Sequence, residues 1–367
     1  MKRKSLKLIK TLILLGFFQI VIGQTMKFET LQYKSIFEYS PVLTISQDLQ
    51  GRLWFGADKN LFIYDSHKIV NLFDKDSLLR KEVDYVAQLT INSLNHLFIA
   101  STNGVFIYDI TRKQLKSDRD KVFKINISPN KILSFGNSVF ICSDKGLFRA
   151  VPSGESYILE KILERPNIYD VIHLEKEKFV LASENGIEIM SLDEKQRVKL
   201  TDLNMPMAIK GRDIIKSICV AGNEIWIGTK KNGVFRYNFT YKSWKNYNSS
   251  NSNLLHNEIW KIIKNKDGKI WIGTVNGLSI YKNANFFENY QSNTFQNDNI
   301  NANTICELYQ DKQNIIWIGT FHGGLNYVIP EQFEPNVYSS SSPLNKRLNS
   351  NILGSIQKIN NDLWIAT

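Results

Sequence analysis

The chain has 367 residues, with 46 Lys+Arg against 35 Asp+Glu, 43% hydrophobic and 12% aromatic content, three Cys and eight Pro. Apolar content on that scale excludes a disordered or collagen-like chain, and the scarcity of cysteine excludes a disulfide scaffold. Five basic and no acidic residues precede Gln24, so without them the net charge of +11 falls to 41 against 35, or +6, spread without a Lys/Arg cluster and giving no case for nucleic acid.

Lys2, Arg3, Lys4, Lys7 and Lys10 are followed by an uncharged stretch from Thr11 to Ile22, ending Val21-Ile22-Gly23. This is the pattern of a secretory signal peptide over residues 1–23, cut before Gln24. A run of about 12 apolar residues is short for a bilayer span of about 20, so a cleaved signal is the expectation and a retained anchor its rival. No Cys follows the run to carry a lipid, and no later stretch is long and apolar enough for a membrane helix.

Lys27 to Tyr33 reads as a lone outer strand. Beyond it one template recurs eight times, as in Leu53-Trp54-Phe55-Gly56-Ala57, Val139-Phe140-Ile141-Cys142-Ser143 and Ile225-Trp226-Ile227-Gly228-Thr229. Its small residues at 56, 100, 142, 182, 228, 273, 319 and 366 are 40 to 47 residues apart. Asn60, Gly104, Gly146, Gly186, Gly233, Gly277 and Gly323 follow the small position and mark a tight hairpin. A branched and aromatic run comes next, such as Val105-Phe106-Ile107-Tyr108, and upstream lies another, such as Ile259-Trp260-Lys261-Ile262-Ile263, joined to the template by its own turn. A fourth, variable strand is visible in Ile69-Val70-Asn71-Leu72-Phe73 and Trp244-Lys245-Asn246-Tyr247.

Four antiparallel strands per repeat without helical periodicity make the blade of a β-propeller. A middle strand buried on both faces explains why the template is continuously apolar, and its small residue would let the adjacent sheet come close. The fold class expected is all-β, a seven-bladed propeller over residues 24–330, with Lys27 to Tyr33 completing the seventh blade. Phe333 to Tyr338 and the eighth template then read as the first strands of a second propeller over 331–367, in a chain that is a fragment of a longer protein. A single eight-bladed ring is the rival. Cys142, Cys219 and Cys306 fall in apolar runs as buried thiols, and the five histidines lie in different repeats without metal spacing.

The segments Gln47-Asp48 to Gly56, Asp267-Gly268-Lys269-Ile270-Trp271-Ile272-Gly273-Thr274 with Asn276-Gly277-Leu278, and Gln310-Asp311 through Trp317-Ile318-Gly319-Thr320 resemble the two-component regulator propeller repeat. The resemblance covers nearly all of 27–367, with copies three and four degenerate. It implies an extracytoplasmic, periplasmic sensor region of a hybrid two-component regulator, which recognises glycan fragments and relays binding to a membrane-anchored histidine kinase absent from these residues. The Asp and Gly near each Trp lack the spacing of a sialidase Asp-box and are expected to act in turns.

No catalytic constellation, phosphate loop or cofactor motif is present in the sequence, so the chain reads as non-enzymatic, with no cofactor and no metal. Immediately before the expected innermost strands stand Ser40, Asp84, Asn130, Asn167, Asp213, Asn257 and Asn303, which symmetry would gather around one mouth of the channel. One reading makes them loop terminators bonded to backbone. The other makes Asp84, Asn167, Asp213, Asn257 and Asn303, with Tyr169 and Trp260, a site for an oligosaccharide, Tyr39, Tyr85 and Phe321 adding stacking faces. A propeller polysaccharide lyase or glycosidase and a protein-binding scaffold are the alternatives, and a homodimer is left open.

Overall fold

A computed structural model describes residues 26–31, 41–115, 117–118, 121–122, 124–206, 212–283, 285–293, 299–329, 350, 352, 354–359 and 362–366. The expected signal peptide, Tyr39, Ser40 and Phe333 to Tyr338 lie outside the described residues. Residues 1–328 and 329–367 form two separate units.

The larger unit is a seven-bladed β-propeller. Its innermost strands are Val42–Gln47, Gln88–Ile91, Pro129–Phe135, Ile168–Glu175, Ile215–Ala221, Ile259–Lys264 and Ile305–Gln310. They neighbour one another in cyclic order, and the seventh neighbours the first. Outward run the template strand and two more, all antiparallel, as in Ile215–Ala221, Glu224–Thr229, Val234–Asn238 and Ser243–Tyr247 of blade 5, except that in blade 2 the outer edge is split into Gln114–Leu115 and Lys124–Ile125, both paired with Gly104–Asp109.

The seventh blade takes its outer strand from the other end of the unit. Glu29–Thr30 pairs with Leu325–Val328, placing Glu29 opposite Tyr327 and Thr30 opposite Asn326. The Leu31 amide extends the ladder to the Leu325 carbonyl at 3.0 Å. Closure of this kind removes the exposed ends of the sheet stack. The ring is sealed at seven, because the Gln47 side chain bonds Gln313 at 3.0 Å and accepts from the Lys312 amide at 2.9 Å across the blade 7–blade 1 boundary.

Blade packing explains the template's small residue. A Cβ on Gly56 would lie 2.3 Å from Val86 Cγ1, one on Gly228 2.5 Å from Ile259 Cγ2, and one on Gly273 2.8 Å from Ile305 Cγ2. At the ring boundary, a Cβ on Gly319 would lie 2.5 Å from the Val42 carbonyl. In each case the neighbour sits at the head of the next blade's inner strand. Beside the glycines, Trp54, Trp226, Trp271 and Trp317 are buried between sheets.

Two local expectations change. The outer strand of blade 1 stops at Asn71 because its side chain accepts the Phe73 amide and starts a 3-10 turn over Leu72–Asp74. A one-and-a-half-turn helix, Ser77–Glu82, follows, capped by Asp76 and anchored by the buried Leu79. In copies one and seven the left-handed turn residues are Asp58 and Gly324 rather than Asn60 and Gly323. In the smaller unit, Ser355–Ile359 pairs with Asp362–Ala366 as a hairpin.

Candidate ligand site at the mouth of the channel

Register identifies which residues are equivalent around the ring. Val42, Pro129, Ile168, Ile215, Ile259 and Ile305 each pair with the residue after the template's small position, and a register shift follows at once in all six inner strands. Such a bulge inserts one unpaired residue and re-aims its side chain. The extra residues are Leu43, Asn130, Tyr169, Lys216, Trp260 and Cys306, and every one lines a cavity of about 340 Å³ together with Ala87 of blade 2. Tyr85, Gln88, Lys131, Ile214, Ile215, Lys261, Glu307 and Phe321 complete its wall. The cavity thus sits where the inner strands begin.

The next residue inward, facing the template's small position, accepts an amide of a neighbouring blade in four of the seven blades. The Leu89 amide donates to Thr44 Oγ1 at 2.9 Å, Ile132 to Gln88 Oε1 at 3.1 Å, Ile218 to Asp170 Oδ2 at 3.1 Å and Ile262 to Ser217 Oγ at 3.0 Å. The remaining three equivalents are charged: Lys131, Lys261 and Glu307. Lys261 Nζ pairs with Glu307 Oε1 at 2.5 Å. Burial raises the Asp170 carboxyl above its ordinary value despite Lys131 and Lys261. Burial, reinforced by Lys261, lowers the Lys131 ammonium. The channel therefore carries a set of charges held in low dielectric, where each partner matters more than at the surface.

Of the residues singled out in the sequence, Tyr169 and Trp260 line this cavity with Asn130, Tyr85 and Phe321. Trp260 and Phe321 meet edge to face at 6.4 Å. Asp84, Asn167, Asp213, Asn257 and Asn303 are not among its lining residues. They tie loops instead: Asp84 accepts from the Ser101 and Thr102 hydroxyls, and Asn167 donates to Glu184 at 2.8 Å. Asp213 accepts the Lys231 and Asn232 amides, both at 3.1 Å. Asn257 and Asn303 accept from the Ser249 and Ser292 amides at 2.8 and 2.7 Å. Sequence reasoning missed Lys131, Lys216, Lys261 and Glu307, which lie one or two residues inside each inner strand. The usable signal was a count from the template through the hairpin; the bulge that shifts it is invisible in an apolar run.

Among the described residues no group of His, Cys, Asp and Glu is arranged to hold a metal ion. All three cysteines are free and buried. The Asp of the inner hairpin acts in the turn in blades 1 and 7, where Asp48 accepts the Gln50 and Arg52 amides and Asp311 those of Gln313 and Ile315. In blade 6 that role belongs to Asn265, which accepts the Lys269 amide, rather than to Asp267.

No curated protein matches the sequence. Among solved structures, the extracellular domain of a protein described as the hybrid two-component system BT4673 from B. thetaiotaomicron is 18% identical with a TM-score of 0.67, over 83% of this chain and 39% of that one. The corresponding domain of BT3049 from the same organism is 21% identical with a TM-score of 0.65, over 94% of this chain and 47% of that one. The chain thus spans less than half the length of either. A catalytically inactive virginiamycin B lyase from Staphylococcus aureus, solved with quinupristin, is 12% identical with a TM-score of 0.62, over 83% of this chain and 99% of the lyase. At these identities the likeness is one of fold. Residues 253–276 and 299–322 match the family described as two component regulator propeller, so these two stretches carry the repeat of that family, on a fold shared with extracellular domains of two-component systems.

Proposed function

We propose that this chain is the ligand-sensing propeller module of a two-component signalling protein, exported to the periplasm, where it binds an oligosaccharide and passes the event to a histidine kinase region. The observation that carries this reading is the cavity at the channel mouth, to which every blade contributes at least one residue. Its size of about 340 Å³ falls at the small end of ligand pockets, enough for one or two sugar rings. Tyr169, Trp260 and Phe321 offer flat apolar faces beside Asn130 and the charged groups, the mixture that suits rings with polar edges. The family match and the fold likeness support the signalling role, and the same likeness supports a location outside the cytoplasm. No helix among the described residues is long and apolar enough to cross a membrane.

The lyase likeness favours one rival, a propeller enzyme acting on a ligand in the channel. Thermal unfolding against an oligosaccharide panel, with product analysis of the same mixtures, separates the two. The sensor reading expects a raised Tm with the saccharide recovered intact. Cleavage products would make the chain an enzyme, and a panel without any shift would remove the oligosaccharide.

A further inference from the structure

The wall of the channel mouth is uneven. Consecutive bulge residues of blades 4, 5 and 6 are Tyr169, Lys216 and Trp260, so one ammonium stands between two aromatic side chains. Lys216 Nζ lies 5.4 Å from the Trp260 ring centroid. Across blades 7, 1 and 2 the same position holds Cys306, Leu43 and Ala87, which carry no charge. At this position blades 4, 5 and 6 are therefore cationic and aromatic and blades 7, 1 and 2 uncharged, while Glu307, Phe321, Tyr85 and Gln88 also line the second side.

The charges do not cancel. The cavity is lined by Lys131, Lys216 and Lys261 and by one carboxylate, Glu307. Lys261 is engaged by Glu307, and burial disfavours the charged form of Lys131. Lys216 has no carboxylate partner among the described residues and is half-buried. A half-buried ammonium without a carboxylate partner is satisfied by an anionic oxygen.

We propose that the channel mouth contains a carboxylate subsite, in which the anionic group of a small organic monocarboxylate seats on Lys216 beside Trp260 and its uncharged body lies against Tyr169 and Leu43. The proposal rests on the reading that this mouth takes a ligand, but not on that ligand being an oligosaccharide. The one ammonium of the wall without a carboxylate partner among the described residues, Lys216, matches one negative charge, and Glu307 on the opposite side disfavours a second. Lys216 is the specificity-determining residue, because among the described residues no carboxylate pairs with it.

Phenylacetate and phenylacetamide, which differ in charge but hardly in shape, are the probes, titrated calorimetrically into the full chain. Phenylacetate is expected to bind about tenfold more tightly than the amide, the size of one charge-assisted contact, and to weaken with added salt while the amide does not. Lys216→Met should erase the preference and Lys216→Arg should keep it, with both variants unfolding at the parent temperature as the check on folding. Equal affinity for the two probes, no binding of either, or a preference that survives in Lys216→Met overturns the subsite. An oligosaccharide panel run alongside keeps the two readings apart. Saccharide stabilisation without acid preference sinks the subsite and leaves the sensor, and acid preference without a saccharide response does the reverse.

Discussion

Blades 1 and 7 and blades 5 and 6 bury the same template Trp but answer its indole N–H differently. In blade 1, Trp54 Nε1 donates to Asp48 Oδ2 at 2.9 Å, and in blade 7, Trp317 Nε1 donates to Asp311 Oδ2 at 2.8 Å. Each of these Asp residues also closes its hairpin by accepting two backbone amides, so one carboxylate joins turn and core. Blade 5 turns through Gly222, with φ 63°, and blade 6 through Asn265, which accepts the Lys269 amide at 2.8 Å. There the Trp226 and Trp271 indole N–H groups are buried without a partner among the described residues. Trp226 instead stacks on Tyr247 at 5.8 Å and lies 5.6 Å beneath Arg236. The difference teaches that the Trp is kept for the volume it fills between sheets, while its hydrogen bond is an addition that some blades do without.

The strongest test of that view is Trp271→Ala, a fully buried truncation in a blade without the Asp. It should cost about 3–5 kcal/mol, as large core deletions do, read as a shifted midpoint in chemical denaturation. A cost under about 1 kcal/mol would show that volume is not what the Trp supplies. Asp48→Ala comes next, at about 3 kcal/mol, since it strands the Trp54 indole and two amides around a side chain that is 0% exposed. Asn265→Ala, which strands a turn amide and no indole, should cost about 1 kcal/mol, and parity with Asp48→Ala would erase the distinction between the blades.

Glycine substitutions sharpen the comparison within blade 5. Gly228→Ala drives a methyl into Ile259 of blade 6 and should cost about 2 kcal/mol. Gly222→Ala meets no atom within 4 Å and suffers only from its φ of 63°, at about 1 kcal/mol. Reversal of that order would mean that blade contact is looser than the geometry shows.

The smallest effect concerns the loop carboxylates. Burial alone would raise the Asp84 carboxyl, but the Ser101 and Thr102 hydroxyls and the backbone amides outweigh it and hold the group below its ordinary 3.8. A carboxyl depressed on folding contributes stability that is complete above that ordinary value and is lost as pH falls through the lower folded one. Asp84→Asn should therefore unfold like the parent below the folded value and fall short of it at neutral pH, as followed by thermal unfolding across acid pH. A deficit that did not depend on pH would assign the loss to shape rather than charge.

Legibility in the sequence followed the residues that repeat. Template, hairpin glycines and lone N-terminal strand sufficed to give seven blades and their closure through Glu29–Thr30. Tyr169 and Trp260 were found because aromatic side chains next to a predicted strand head stand out. Asp213, Asn257 and Asn303 stand at one register position, two residues before the first paired residue of their inner strands, with Asn167 one residue before its own, yet their bonds and those of Asp84 run to neighbouring loops rather than into the cavity. Lys216 carried no signal, because a lysine inside an apolar strand reads as a solvated edge.

The sequence by itself determined the blade, its number and the way the ring is fastened, because these depend on local hydrogen bonding and on an apolar pattern copied at constant spacing. Tertiary structure alone decided which side chains face the channel. Six bulges, each one residue long, turn Leu43, Asn130, Tyr169, Lys216, Trp260 and Cys306 toward the cavity. A bulge is set by how an inner strand fits against the blade beside it, and the chain records no trace of that fit until all seven blades are in place.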